Sequence, residues 1–379
     1  MNADPIALYV HWPFCVSKCP YCDFNSHVRA DIDQMVWRDS LLKDLAHEAA
    51  LTRDRRLGSI FFGGGTPSLM PPETVATIID AASRHWNFEP EIEITLEANP
   101  SSVEAARFAD IAAAGVNRVS LGLQALDDGA LVFLGRAHGV AEGLAALDTA
   151  QAHFARVSFD LIYARPGHTP ESWEAELHRA IGLGTEHISL YQLTIEPGTR
   201  FATDAAAGRI MIPDADTAAD LFERTRGITA AAGLPAYEVS NHARAGAQSR
   251  HNLTYWRYGD YLGIGPGAHG RRGGTATVRH KKPENWLSGL ERNGHGMVSE
   301  DALTTPERAS EALLMGLRLD EGVDLARIAQ DTGRPIEELV DARAVARTPE
   351  LIVREGDRLR VTGAGMLVLD GILAAVVRD

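Results

Sequence analysis
Short runs of β-branched and aromatic residues alternate with stretches of helical period along the first half of the chain. The strand-like runs fall near Ile6–Trp12, Ser59–Phe62, Ile92–Leu96, Arg118–Leu123, Val157–Tyr163 and His187–Leu193, and the polar, apolar-periodic segments between them read as helices. Asp31 followed by Gln34 suits a helix start, with Trp37, Leu41 and Leu45 on one face. Ser101 with Glu104 reads as a second capping box, closed off by Gly115, and Thr169-Pro170 opens a helix that Gly184 follows. Successive strands start about 25–40 residues apart, as βαβ units with a crossover helix do. Six such units predict a parallel sheet with helices outside, either an open doubly wound sheet or an incomplete barrel. Periodicity does not choose between them. The placing of chemistry helps, because a barrel gathers its active residues at the C-terminal ends of several strands.

The pattern loosens from about Arg200 to Glu300, and another unit begins near Thr304. Thr305 is placed to cap a helix through Leu317. Helices at Asp324–Gln330 and Pro335–Arg343 follow, then a hairpin of Leu351–Val353 with Leu359–Val361 around Glu355-Gly356-Asp357, and a last helix from near Gly365. Three helices and a hairpin resemble a winged helix. Glu337, Glu338 and Asp341 give the candidate recognition helix the wrong sign for phosphate. The division expected is residues 1–210, a flanking region 211–303, and a small C-terminal domain 304–379.

The 379 residues, 45% hydrophobic and 23% charged, are those of a folded globular protein. Lys plus Arg number 37 against 51 Asp plus Glu, a net charge of −14, which disfavours nucleic acid as a partner. No apolar run is long enough to span a bilayer, and the N-terminus has neither a basic segment nor an apolar signal core, so a cytoplasmic location is expected.

The cysteines change the picture most. There are three, Cys15, Cys19 and Cys22, spaced C-x₃-C-x₂-C directly after the first strand. An odd, clustered set in such a chain indicates metal rather than disulfides. Three thiolates can hold three irons of a four-iron cluster and leave the fourth iron open to a ligand. A zinc site with His11 or His27 as fourth ligand is the alternative. The spacing, with Tyr21 before the third cysteine, resembles the radical S-adenosylmethionine (SAM) family. That resemblance implies a [4Fe-4S] cluster on Cys15, Cys19 and Cys22, SAM chelated at the open iron, and a fold class of α/β with a partial (β/α)₆ barrel, here followed by the small winged-helix-like C-terminal domain.

Further residues carry the resemblance. Gly63-Gly64-Gly65-Thr66-Pro67 ends the second strand. Glycines there would let a ligand reach the backbone, with free N–H groups expected to bind a carboxylate. The run matches the family's GGTP motif, which implies that Gly64, Gly65 and Thr66 contact the methionine end of SAM. Glu97, Gln124 and Asp160 lie at or near the C-terminal ends of successive strands, with Arg136 twelve residues after Gln124. All four match cofactor-binding positions of the coproporphyrinogen oxidase branch, as do Tyr9 and Tyr21. Thr194 matches less closely. Ala164-Arg165 departs from that branch's usual Gly-Leu.

Two kinds of protein share this branch: an oxygen-independent coproporphyrinogen III oxidase, which decarboxylates porphyrin propionates, and a heme chaperone. The oxidase has a fourth cysteine where Phe24 stands here, and a longer segment than the 14 residues ahead of Cys15. His251-Asn252-Leu-Thr-Tyr255-Trp256 matches the HNxxYW motif of the chaperone. An imidazole is a good axial ligand for heme iron, and Tyr255 and Trp256 offer flat surface to a macrocycle. A hydrogen-bonded, structural His251 is the plainer reading of those residue types. His269 is a second histidine near the site, on which no assignment rests. The resemblance thus implies heme as ligand bound through His251, heme-acceptor proteins as partners, some at a membrane surface, and a homodimer. Whether the chain is also an enzyme stays open, with the oxidase as the alternative.

Overall fold
A computed structural model describes residues 4–29 and 31–377. One sheet of eleven strands organises most of the chain. Its centre is six parallel strands in chain order: β1 (Ile6–Trp12), β2 (Arg56–Gly64), β3 (Asn87–Ala98), β4 (Arg118–Gln124), β5 (Arg156–Tyr163) and β6 (His187–Gln192). Unbroken sequential order, with no reversal, is the arrangement of a barrel wall rather than of a doubly wound sheet, whose order reverses at a switch point.

The region after the sixth strand, which read as loose, extends this sheet at both edges. β7 (Asn241–Ala243) pairs antiparallel with β6. β8 (Tyr261–Ile264) pairs parallel with β1, and β9 (His269–Arg272), β10 (Thr275–Arg279) and β11 (Met297–Ala302) continue outward as antiparallel neighbours. Five short strands, several joined by glycine turns, give no periodic run long enough to announce a sheet.

Helix Gln34–Leu51 shows how the outer layer is fixed. Its cap is Asp33, not Asp31: the Asp33 carboxylate accepts from the Met35 and Val36 N–H groups. The buried positions are Trp37, Leu41, Asp44, Leu45, Glu48 and Ala49, one helical stripe that includes two carboxylates. Both meet Arg279, itself 0% exposed, whose Nε lies 2.7 Å from Asp44 Oδ2 and whose Nη2 lies 2.8 Å from Glu48 Oε1. Asp44 also accepts from Trp286 Nε1 (3.1 Å) and the Gly265 N–H (3.1 Å). This network locks the helix to β8–β10, the wall that flanks β1.

The C-terminal unit has its own core, from Ala309, Leu313 and Leu317 to Leu369, Leu373 and Val376. Thr304, one residue earlier than the sequence suggested, caps helix Thr305–Gly316 in a capping box with Glu307. The stretch expected as one helix over Pro335–Arg343 is two, Ile336–Leu339 and Ala342–Arg347, because extended Val340 bridges to Val377 and Asp341 caps the second. Strands Val323–Asp324, Arg358–Val361 and Ile352–Glu355 form its antiparallel sheet. Among the described residues no helix is long and apolar enough to cross a membrane.

Candidate functional site
The chain turns sharply after β1 and presents the cysteine loop across the C-terminal ends of the strands. Phe14–Cys15 pairs with His27–Val28, so the loop closes on itself. The Tyr9 hydroxyl donates to Nδ1 of His11 (2.9 Å), and Nε2 of His11 donates to the carbonyl of Asn25 in the loop (2.9 Å). A carbonyl only accepts, so the proton sits on Nε2. Asn25 in turn donates to the carbonyls of Pro266 and Lys281 (2.9 and 3.0 Å). Both ring nitrogens of His11 are thus engaged, which removes it as a fourth metal ligand.

The three cysteines are free thiols, each partly exposed. Thr66 Oγ1 donates to Cys15 Sγ (3.5 Å) and Arg136 Nη1 to Cys19 Sγ (3.4 Å). Arg136 is itself held by Asn99 Oδ1 (2.6 Å) and the Gly122 carbonyl (3.0 Å). Among the described residues no three His, Cys, Asp or Glu side chains converge as one bound ion would require. A cluster that takes one thiolate per iron needs no such convergence, and hydrogen bonds onto its sulfurs are the kind that tune it. The donor set therefore fits a cluster better than a single zinc ion.

The glycine turn corrects the expectation of free N–H groups. Gly64 N–H points to Glu97 Oε2 (3.3 Å), Gly65 N–H to the Trp12 carbonyl (2.7 Å) and Thr66 N–H to the Phe14 carbonyl (2.8 Å). The turn is stitched to the strand that carries Cys15. Its glycines are needed for close packing: a Cβ on Gly65 would lie 2.6 Å from the Phe14 carbonyl oxygen, and one on Gly64, at φ +111°, 2.6 Å from the His11 ring.

Below the loop lies a cavity of about 510 Å³ inside the barrel. Tyr9, Gly64, Glu97, Asp160 and His251 all line it. Gln124, Arg136, Tyr21, Gly65 and Thr66 are not on its wall. Arg136 and Thr66 stand at the cysteines, and Gln124, at φ +68°, lies near Arg136 above Gly122. Thr194 instead bonds Glu196 (2.9 Å). Ala164 adopts φ +54°, a left-handed conformation that glycine adopts without strain.

Burial pushes the Glu97 carboxyl up to about 8, helped by the nearby Asp160 charge and opposed by the Gly64 N–H and Arg118. Burial also lifts Asp160 to about 6 against hydrogen bonds from Ser189 and Ser120 and the charges of Arg118 and Arg136. Two adjoining carboxyl groups that resist ionisation even with the Arg118 charge nearby suit a cationic ligand, such as an ammonium or sulfonium.

His251 starts the short helix Arg250–Trp256 and is 5% exposed. Ser249 caps that helix, and Glu93 on β3 accepts from both the Ser249 hydroxyl (3.3 Å) and the His251 N–H (3.1 Å). The imidazole stacks on Phe61, with centroids 4.9 Å apart and planes at 25°. Nδ1 bonds the Ser59 hydroxyl (3.2 Å), while Nε2 has no hydrogen-bond partner among the described residues. Burial lowers its pKa to about 4 despite the Glu93 carboxylate, so the ring is neutral. Tyr255, one turn on, shares the cavity, but Trp256 does not. It is a further 100° round the helix and faces the C-terminal unit, with Arg318 over its ring at 5.9 Å.

Several lining residues escaped the sequence reading, Phe61, Arg118, His187, Tyr191 and Asn241, while His269, named there without a role, is on the wall as well. The available signal was a run of polar residues at alternate positions of buried strands, as in His187-Ser189-Tyr191, where a filled barrel would place branched apolar side chains.

A model of the radical SAM superfamily matches residues 9–180, and one of the HemN C-terminal domain matches residues 303–368. The chain belongs to the radical SAM family, in which a [4Fe-4S] cluster and SAM are the cofactors. Within that family it is 38% identical to the heme chaperone HemW of Haemophilus influenzae over 97% of each chain. It is also 39% identical to the mitochondrial radical S-adenosyl methionine domain-containing protein 1 of mouse, over 98% of this chain and 87% of the relative. Among solved structures, coproporphyrinogen III oxidase (HemN) from Escherichia coli shares the fold, with a TM-score of 0.81 at 22% identity, over 99% of this chain and 90% of that one.

Proposed function
We propose that this protein is a heme chaperone that holds heme in the barrel cavity and passes it to heme-requiring proteins. The observation that carries the reading is His251: a buried, neutral imidazole on the cavity wall, braced through Nδ1 and with Nε2 uncommitted. If Nδ1–H is given to Ser59, Nε2 offers a lone pair to heme iron. Phe61 and Tyr255 give the macrocycle flat surface beside it. The similarity to HemW chaperones over most of the chain supports the same reading.

The residues around the cysteines have separate work. Cys15, Cys19 and Cys22 would hold the cluster, which would offer SAM an open coordination position. Thr66 and Arg136 fix two of the thiolates in place. Glu97 and Asp160 would take the cationic part of the nucleoside, with Tyr9, Tyr21, Gly64, Gly65 and Gln124 shaping its bed. Cofactor loading then regulates heme transfer to respiratory acceptors at a membrane surface, with a homodimer as the working form. His11 and Asn25 tie the cysteine loop to the cavity wall, and that tie supports coupling between the two sites.

A spectral titration of heme into cluster-reconstituted protein tests this. Saturable binding near one heme per chain is expected, with a His251→Ala variant showing a changed absorption spectrum. No saturable binding would end the chaperone reading. An unchanged spectrum in the variant would end only the ligand assignment.

A further inference from the structure
The floor of the barrel carries a buried guanidinium that feels the Glu93 carboxylate but, among the described residues, has no carboxylate within ion-pair distance. Arg118, the first residue of β4, is 3% exposed and lines the cavity. Its guanidinium donates to Ser158 Oγ (3.1 Å) and Thr95 Oγ1 (3.5 Å), both uncharged. Among the described residues no Asp or Glu oxygen comes within ion-pair distance of it. The nearest acids are committed elsewhere: Glu93 to Arg156 (2.5 Å), Asp160 to Ser120 (3.4 Å) and Glu97 to the Gly64 N–H (3.3 Å). Taking an arginine out of water without a counter-ion is costly.

His187 lies at the same end of the cavity and is also 3% exposed. The Tyr237 hydroxyl accepts from the Ser249 N–H (3.4 Å) and meets Nε2 of His187 (3.0 Å); when it donates there, the imidazole proton sits on Nδ1. Nδ1 is buried without a partner among the described residues. A buried guanidinium and an uncommitted N–H donor side by side form a receptor for an anion.

We propose that Arg118 and His187 take a carboxylate of the tetrapyrrole held in the barrel, anchoring heme by a propionate at the floor of the cavity. The proposal rests on the heme-chaperone reading and adds to it the part of the ligand that is read. A methionine carboxylate of the cofactor is the other carboxylate at hand, but it belongs at the cluster. Arg118 stands six residues before Gln124, the cluster-side end of β4, a depth of roughly 20 Å along the strand.

The test compares heme with its dimethyl ester, which keeps the iron and the ring and removes both negative charges. Each is titrated anaerobically into cluster-reconstituted protein, and SAM affinity is measured alongside. Wild type should prefer the diacid by about tenfold to a hundredfold, the range expected of hydrogen bonds to a charged group. Arg118→Met should bring the diacid down to the ester's affinity, and Arg118→Lys should keep part of the preference. Equal binding of diacid and ester by wild type overturns the proposal without recourse to any variant. A full preference retained in Arg118→Met overturns it as well. If neither porphyrin binds, the chaperone reading itself fails, and the proposal with it.

Discussion
The His251 ring lies on the Phe61 ring at 4.9 Å, and its Nδ1 meets the hydroxyl of Ser59, two residues earlier on the same strand. One strand therefore sets the plane of the imidazole and holds its Nδ1 edge. Ser59→Ala should leave heme bound but shift its absorption spectrum, because the orienting hydrogen bond is lost. Phe61→Ala should weaken binding by about tenfold through lost ring packing. Parallel titrations check both. A spectrum of Ser59→Ala identical to wild type would mean that Nδ1 does not orient a ligand.

The carboxyl pair gives the cofactor a pH signature. Glu97 at about 8 and Asp160 at about 6 are protonated below those values in the cofactor-free protein. A cationic nucleoside prefers their ionised forms, so SAM affinity should rise between about pH 6 and about pH 8 and level off above. Glu97→Gln should weaken binding and remove the upper part of that rise. The shift of the cluster's electron paramagnetic resonance signal on titration with SAM reports it. In the cofactor-free protein the same groups act oppositely. The folded chain keeps protons that the unfolded chain releases, so carboxyl burial makes stability fall as pH rises from the ordinary carboxylate range to about 8.

The Arg279–Asp44–Glu48 cluster is fully buried, so removing the cation leaves Asp44 without a counter-ion, while Glu48 keeps Arg272 at 2.9 Å. Arg279→Met should destabilise the protein by about 3–5 kcal/mol, read by denaturant unfolding. A loss under about 1 kcal/mol would mean that Trp286 and the Gly265 N–H satisfy Asp44 by themselves.

Ala164 carries a backbone strain that a glycine would relieve. Ala164→Gly should stabilise by up to about 1 kcal/mol, the added backbone entropy of glycine offsetting part of the gain. A small rise in thermal midpoint is expected. A fall would show that the Ala164 methyl, 2% exposed in the core, packs for more than its backbone costs.

The six barrel strands and the C-terminal hairpin were legible because each is a run of β-formers bounded by turn residues. Asp33 and Thr304 displaced the expected caps Asp31 and Thr305 because a side chain of the same capping type stands within two positions of each. The cysteine loop after the first strand and the strand positions of Glu97 and Asp160 were legible from spacing and strand boundaries. Arg118 and His187 were not, since a polar residue at a strand start reads as solvated until the barrel turns it inward. Nor was the Arg279 network: Asp44 and Glu48, four apart on a helix, look like a solvent face until β10 brings the arginine against them. The N–H groups of the glycine turn were misjudged because only the fold shows the neighbouring strand that uses them.

Phe24, at the place of the oxidase's fourth cysteine, is 61% exposed at the mouth of the cavity. The most direct measurement follows from that position. Cluster-reconstituted protein with SAM is incubated anaerobically with heme and, side by side, with coproporphyrinogen III. Stoichiometric, saturable heme binding with no protoporphyrinogen formed is the result this account predicts. Multiple turnovers of coproporphyrinogen III without heme binding would contradict it.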